Sequence, residues 1–475
     1  MSTRAGGTSR RAAKSTSGNR VVSPARRAAF EILRRVEEEG AFASVLLNSI
    51  DEEMRADDRA LCYELVLGTL RWQLWLDALI EHYAGRKAES LDTPVRRALR
   101  LGFYQLRFLS RIPASAIVNE SVNLAYFARL RSAAGFINAV LRRATREMDF
   151  NPAAQEDNPL KRLAIETSHP VWLVERWVQA LGFEEAERFA RANNEAPPVA
   201  FRLASNDEDE QAVLNKLREA GATLSPSGIA PQAWRVEGAS ATVRKLALDG
   251  RIYLQDEASQ LVAHVLDAQA GERVLDVCAA PGSKTTHLAS ISPEAGLIVA
   301  CDLYEQRLRT VLESEKRAGM ERICALVHDA TAALPFASES FDRVLVDAPC
   351  TGTGTLRRNP EIRWRISDHD ILDLAARQKL ILANAARALR SGGRIVYSTC
   401  SVEPEENEEV VKAFLQDHTD FKQVAVSVPG SLQSADGSAR TWPHRDGVDG
   451  FFIAAFERQG DSNRDGQDEQ DKKQG

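Results

Sequence analysis

Apolar residues recur at intervals of three and four over residues 23–148, the spacing that lays one apolar stripe along each of several helices. Ser23-Pro24 offers a capping hydroxyl followed by proline at the first helical position. Ala25, Ala29, Ile32 and Val36 follow on one face, and Gly40 marks the end. Asp57-Asp58 gives a second start, ahead of Leu61, Leu65, Trp72, Leu76 and Leu79. Thr93-Pro94 repeats the cap-plus-proline signal before Ala98, Leu101, Leu106 and Leu109. Two more helical stretches cover residues 117–130 and 133–146. The pattern predicts an all-α bundle over residues 21–150.

Further on the period changes. Residues 170–195 read as helical, while "VAFRLA" (199–204) and "AWRVEG" (233–238) read as strands around a helix at 208–220. A small α+β linking subdomain over residues 151–245 is predicted. Over residues 246–458, short apolar runs alternate with helical patterns: "RVLDVC", "LIVACD", "ICALVHD", "RVLVDAP" and "RIVYSTC". Such alternation predicts a parallel sheet with helices on both faces, a C-terminal α/β domain of Rossmann-like type. Residues 1–20, with Arg4, Arg10, Arg11, Lys14 and Arg20, are too polar to bury a core and read as a disordered basic arm. Residues 459–475 read as a disordered polar tail.

Composition narrows the class. At 475 residues the chain exceeds what one core organises, so a multidomain protein is expected. No apolar run reaches membrane-spanning length and the start lacks a secretory h-region, so a cytoplasmic protein with no membrane partner is expected, a monomer by default. Cysteines 62, 278, 301, 324, 350 and 400 form no C-x-x-C pairs, which argues against a metal and against a disulfide framework. Net charge is −6, yet residues 1–150 carry +7 and the remainder −13. The first third is therefore the candidate for meeting phosphates.

Candidate chemistry gathers at the ends of the predicted strands. Val274 to Cys278 reads as a buried strand, followed by Ala279-Ala280-Pro281-Gly282-Ser283-Lys284 and a helix from near Thr285. Small residues at that turn let backbone approach a ligand. With one glycine the turn is neither a dinucleotide fingerprint nor a P-loop; a nucleoside without phosphates, such as S-adenosyl-L-methionine, fits it. Open sheets bind ligands at the carboxyl ends of their strands. Asp302 ends "LIVACD", where a carboxylate takes ribose hydroxyls; Asp329 follows the next strand, where it would flank an adenine; Asp347 ends "RVLVDAP". This ordering fits a class I methyltransferase. Two of the cysteines, Cys350 in Asp347-Ala348-Pro349-Cys350 and Cys400 in Ser398-Thr399-Cys400-Ser401, follow neighbouring strands and are expected at one mouth. Carbon 5 of cytosine is a poor nucleophile, and a thiolate adding to carbon 6 is what activates it.

The segments "VCAAPGSKT", "VDAPCTGTGTLRRNPEIRW" and "VYSTCSVEPEENEEVV", with "YLQDEASQLVA" and "DGFFIAAF" flanking them, resemble the RNA cytosine-5 methyltransferases of the Nol/Nop/Sun family. "RRAAFEILRRVEEEG", "DRALCYELVLGTLRW" and "AGFINAVLRRATRE" resemble the NusB-type RNA-binding domain. Together the two are similar to the RsmB-type (Sun/Fmu) branch, which acts on 16S ribosomal RNA of the small subunit. The resemblance implies S-adenosyl-L-methionine as methyl donor and cytosine 967 as target. It implies Cys400 as the nucleophile and Cys350 as the thiol assisting release. Asp347 would hold the cytosine N3/N4 edge with Lys284 close by, and Cys278 to Lys284 would wrap the cofactor. Arg357, Arg358 and Arg363 would meet phosphates, and Trp364 would stack on a base. Ser283 stands where the family usually has a second glycine, and His328 where it has a glycine before the acid. Two rival readings remain: a cytosine-5 methyltransferase of transfer RNA or DNA, and a non-catalytic RNA-binding or antitermination factor.

Overall fold

The structure, a computed structural model, describes residues 22–50, 54–205 and 209–460. The basic arm expected at 1–20 and residues 461–475 of the expected tail lie outside the described residues.

The chain divides into two compact units, residues 1–168 and 169–475. In the first, the apolar stripes produce the helices Pro24–Glu38, Ala43–Asn48, Ala56–Arg71, Gln73–Ala84, Thr93–Phe108, Ala114–Phe127, Ala134–Ala144 and Pro159–Thr167. Ala25, Ala29, Leu65, Leu76, Leu101 and Ile137 share their core. Four local expectations are corrected. Ser23 makes no side-chain cap; its hydroxyl donates to Glu120 Oε2 at 3.2 Å, and proline alone marks the start. Thr93 is itself the first helical residue, after Asp92. The second predicted helix is two, separated at Trp72. The helix Pro159–Thr167, not read in the stretch taken as linking region, belongs to the first unit. Asn158 caps it by accepting Leu160 and Lys161 N–H, and Ser168 Oγ beyond it accepts Leu74 N–H at 3.0 Å.

The arginines of this unit are largely matched from within. Arg97 donates to Glu37 and Glu38, Arg100 to Asp77, Arg96 to Glu37, and Arg34 and Arg35 to Glu39. Arg27 and Arg142 are exposed, Arg27 over the Phe127 ring at 5.0 Å. Sequence charge therefore overstates the cationic face: several of its arginines are consumed by acids on neighbouring helices.

The second unit opens with the helices Val171–Leu181 and Phe183–Ala192. A four-stranded antiparallel sheet follows, in the order β2-β3-β1-β4. Its strands are β1 (Val199–Leu203), β2 (Thr223–Pro226), β3 (Trp234–Glu237) and β4 (Ile252–Leu254). Phe201, Val213, Leu217, Val236, Leu246 and Ile252 form its core. β2 and β4 went unforeseen. β4 closes this sheet although its residues fall in the stretch expected to belong wholly to the C-terminal domain.

The large sheet contains β5 (Arg273–Asp276), β6 (Leu297–Asp302), β7 (Ile323–Val327), β8 (Phe341–Asp347), β9 (Leu389–Thr399), β10 (Phe421–Val424), β11 (Ala439–Thr441) and β12 (Phe451–Arg458). Its order is β10-β12-β9-β8-β5-β6-β7, with β11 beside β12. β5 to β9 pair in parallel, and β12 runs antiparallel to β9. Successive residues serve opposite faces: Val274, Ile298, Leu345 and Val396 pack in one core, Leu275, Val299, Val346 and Tyr397 in the other. Helices cover both faces, which explains runs too apolar to alternate. From β5 the chain moves outward through β6 and β7, then returns to β8 on the other side. The crevice at this reversal is where open α/β sheets take their ligands.

Candidate active site

The loop after β5 is built by local bonds. Asp276 is fully buried; it accepts the Thr285 hydroxyl at 2.7 Å and Cys278 N–H at 3.2 Å. Burial pushes its carboxyl up to about 7 against those bonds. Gly282 sits at φ +106°, where a Cβ would stand 3.0 Å from Val311 Cα, so only glycine lets this turn lie on the helix Glu305–Arg317. Ser283, one residue on, begins the helix Ser283–Ile291. Its carbonyl accepts from Arg202, a buried side chain of β1 that also donates to Thr286 Oγ1. The small sheet thus braces the start of this helix.

Asp302, at the end of β6, accepts Ala280 N–H at 3.3 Å and Tyr304 N–H at 3.1 Å. Asp329, just past β7, is exposed and accepts both Thr331 N–H and its hydroxyl, which holds its carboxyl below the ordinary value. Cys278 is half-buried, and burial with the nearby Asp276, Asp347 and Asp302 keeps its thiol protonated. Acids at strand ends, backbone at the turn and no cluster of cations suit a phosphate-free nucleoside carrying a positive sulfonium. The residues present therefore fit S-adenosyl-L-methionine. Among the described residues, no group of three or more His, Cys, Asp and Glu could hold a metal.

Across the reversal lies a different construction. Lys284 Nζ meets Asp347 Oδ2 at 2.7 Å, and Ser398 Oγ donates to Asp347 Oδ1 at 2.8 Å. Burial opposes the Lys284 charge, but Asp347 outweighs it and the ammonium is held above its ordinary value. Cys400 lies within the same electrostatic neighbourhood, and the Phe451 ring sits 5.1 Å from Nζ. Cys350 Sγ and Cys400 Sγ are 3.4 Å apart, both half-buried. The hydrogen bond to Cys400, burial, and the Cys400, Glu406 and Asp347 charges push the Cys350 thiol well up.

The loops carrying the thiols are sewn together. Gly354 N–H donates to Cys400 O at 2.9 Å, and Gly450 N–H donates to Gly354 O at 2.8 Å. A Cβ on Gly354 would stand 2.0 Å from Gly450 O. Asn407 accepts the Thr399 hydroxyl and donates to Ser401 O at 2.9 Å. Thr353 Oγ1 accepts Val402 N–H at 3.0 Å. Sequence reasoning missed Ser398, Thr351, Thr353, Gln378, Glu406 and Asn407. The acidic run "EPEENEE" was the available signal for two of them, since buried polar groups in a strand-end loop must be bonded.

One group of expectations fails. Arg357 is buried and donates to Asp449 at 2.9 Å; Arg358 bridges Asp449 and Asp256 at 2.6 and 2.7 Å. Arg363 is buried, donating to Asn194 Oδ1 at 2.9 Å and to Asn193 O. These arginines brace the floor of the domain instead of reaching phosphate. Trp364 is half-buried.

A parallel sheet with this reversal, acids at successive strand ends and a turn suited to a phosphate-free nucleoside are the construction of a class I methyltransferase. Residues 263–457 match the family described as 16S rRNA methyltransferase RsmB/F, residues 23–146 the NusB family, and residues 169–243 the ferredoxin-like domain of RsmF/B-like methyltransferases. The chain is 36% identical over 440 residues to a protein of Bacillus subtilis (strain 168) named probable ribosomal RNA small subunit methyltransferase B, covering 91% of this chain and 98% of that one. Ribosomal RNA small subunit methyltransferase B of Shigella flexneri is 36% identical over 431 residues, covering 90% and 96%. The crystal structure of PH0851 superposes with a TM-score of 0.80 at 30% identity, covering 92% of this chain and 100% of that one. The chain belongs to the RsmB/F family of S-adenosyl-L-methionine-dependent RNA methyltransferases.

Proposed function

We propose that this chain methylates carbon 5 of a cytosine in small-subunit ribosomal RNA, at position 967, through a covalent bond from Cys400 to carbon 6. The observation that carries the reading is the pair of thiols 3.4 Å apart beside the Lys284–Asp347 ion pair. One thiol could serve as a bland small side chain; two sulfur atoms sharing one polar mouth are suited to a two-step covalent reaction.

In this reading, Cys278 to Lys284 wrap the cofactor, Asp302 takes the ribose hydroxyls and Asp329 flanks the adenine. The cofactor supplies an electrophilic methyl group. Cys400 Sγ, as thiolate, adds to carbon 6 and turns the ring into a nucleophilic enamine. Asp347 holds the N3/N4 edge, and the Lys284 ammonium offsets the negative charge that gathers during addition. After transfer, the Cys350 sulfur, its own proton passed to solvent, takes the proton from carbon 5. The electrons of that carbon–hydrogen bond restore the ring double bond, and the Cys400–carbon 6 bond breaks to return the thiolate. A base in a duplex cannot reach such a mouth, so the target is single-stranded or flipped out. The relatives' names support ribosomal RNA over transfer RNA. No helix among the described residues is long and apolar enough to cross a membrane; the working form proposed is a cytoplasmic monomer.

The test incubates each variant with cofactor and either small-subunit ribosomal RNA or transfer RNA, then separates products on a denaturing gel. Cys400→Ala abolishes both methyl transfer and adduct; Cys350→Ala accumulates a covalent protein–RNA band. Exchange of the two phenotypes would move the nucleophile to Cys350. Methylation of transfer RNA alone would move the substrate.

A further inference from the structure

Glu406 is completely buried in the turn Pro404–Glu406, and no step described above uses it. Its Oε1 accepts Thr351 N–H and Gln378 Nε2, each at 2.9 Å, and its Oε2 accepts the Thr351 hydroxyl at 2.5 Å. The same Gln378 Nε2 donates to Pro349 O at 2.9 Å. The residues on either side of Cys350 are thus tied to one carboxylate. Thr351 Oγ1 also shares a hydrogen bond with Ser401 Oγ at 3.1 Å, next to Cys400. From the strand beneath, Tyr397 donates its hydroxyl to the Glu406 carbonyl at 2.5 Å. One side chain therefore anchors the flanks of both thiols.

Its electrostatic setting is the second observation: burial pushes the Glu406 carboxyl up, and bonds from Ser401, Thr351 and Gln378 work against that in favour of the charged form. Cys400, Glu406 and Asp347 face Cys350, and Tyr397 lies below it. Asp347 is matched by Lys284, and Glu403, beyond Glu406, is matched by Arg176. The partners of Glu406 are neutral donors. A buried carboxylate bonded this way is satisfied in its lone pairs while its field persists in the low-dielectric interior. That field acts on the nearest proton-exchanging group of the loop it holds, the Cys350 thiol.

We propose that Glu406 is the positioning residue of the release step: it holds Cys350 against Cys400 and keeps the Cys350 proton in place until the methyl group has been delivered. The inference rests on the two-thiol reading given above. Premature loss of that proton would put two thiolates in one pocket and disfavour attack by either.

The test follows adduct formation and adduct release separately, by quenched denaturing gels, across pH in wild type, Cys350→Ala, Cys400→Ala and Glu406→Gln. Glutamine keeps the reach and can accept from Thr351 N–H while donating to Thr351 Oγ1, so it removes chiefly the charge. Expected is a release profile moved to lower pH by about one unit, with adduct formation falling off at a lower pH than in wild type. Glu406→Asp, which restores the charge, returns the release profile toward that of wild type. Gln378→Met strips a donor that favours the charged carboxylate and moves the release profile the same way by less; it carries the test alone if Glu406→Gln does not fold. A release profile that stays in place in every soluble variant overturns the proposal, and so does a parallel fall of formation and release with no shift. Failure of the two-thiol reading looks different: Cys400→Ala still forms adduct, or Cys350→Ala accumulates none.

Discussion

The two sides of the crevice are assembled by opposite means. After β5, the loop is shaped first by near partners, Asp276 with Thr285 and Cys278, with Gly282 on Val311 and Arg202 on Ser283 as longer-range supports. After β8 and β9, partners are far apart: Gly354 with Cys400 and Gly450, Gln378 with Pro349 and Glu406. The Asp276 bonds of that turn are encoded locally, within one strand and the helix that follows it. A pocket that must hold two sulfur atoms in register needs three loops fastened across each other. The first kind of site tolerates drift elsewhere in the domain; the second does not.

Substitutions on each side sharpen that contrast. The largest effect is expected from Lys284→Met, which leaves Asp347 without its cation in a site where one electrostatic donor is worth about a hundred- to a thousandfold in rate. Single-turnover methyl transfer at saturating cofactor should fall by that order. A rate that holds at saturating cofactor would confine Lys284 to the cofactor side. Gly354→Ala comes next. Its Cβ would press on the Gly450 carbonyl, and overpacking of this kind costs about 1–3 kcal/mol. Both thiols should lose activity together while cofactor binding survives. Gly282→Ala should do the reverse: strain at a positive φ costs about 1–3 kcal/mol, cofactor affinity falls, and adduct formed at saturating cofactor is spared.

The smallest effect concerns pH. The Asp276 carboxyl stands at about 7 in the folded chain, above the value of about 4 expected when unfolded. The folded state therefore binds the extra proton between those values. The stability it contributes is complete below about pH 4 and is lost as pH rises through 7. Asp276→Asn should flatten the fall in melting temperature between about pH 4 and 7, and an equally steep fall in the variant would count against this account.

The same contrast decides what could be read from the chain alone. Strand ends carrying Asp302, Asp347, Cys350 and Cys400 were legible because an apolar run followed by an acid or thiol is a local pattern. Lys284 and the small-residue turn were legible for the same reason. Arg357, Arg358 and Arg363 were misread because positive charge in a loop looks the same whether it meets phosphate or a buried acid. The acids of Arg357 and Arg358, Asp256 and Asp449, lie roughly a hundred residues away along the chain on either side, and Arg363 meets Asn193 and Asn194. Glu406 was hidden inside an acidic run that resembles a solvated surface. The helix Pro159–Thr167 was not read at all in the stretch taken as linking region, and it falls in the first unit.

The backbone crossing of Gly354 and Gly450 bears on how an RNA substrate is admitted. With no side chain between the two strands of chain, there is no room for one to slide over the other, and both are pinned by hydrogen bonds. The crossing beside the Cys400 carbonyl is in effect a fixed plate. On the proposed reading, deformation that brings a base to it falls to the nucleic acid, so RNA sequences that unstack easily are expected to react faster even where the protein touches no base edge.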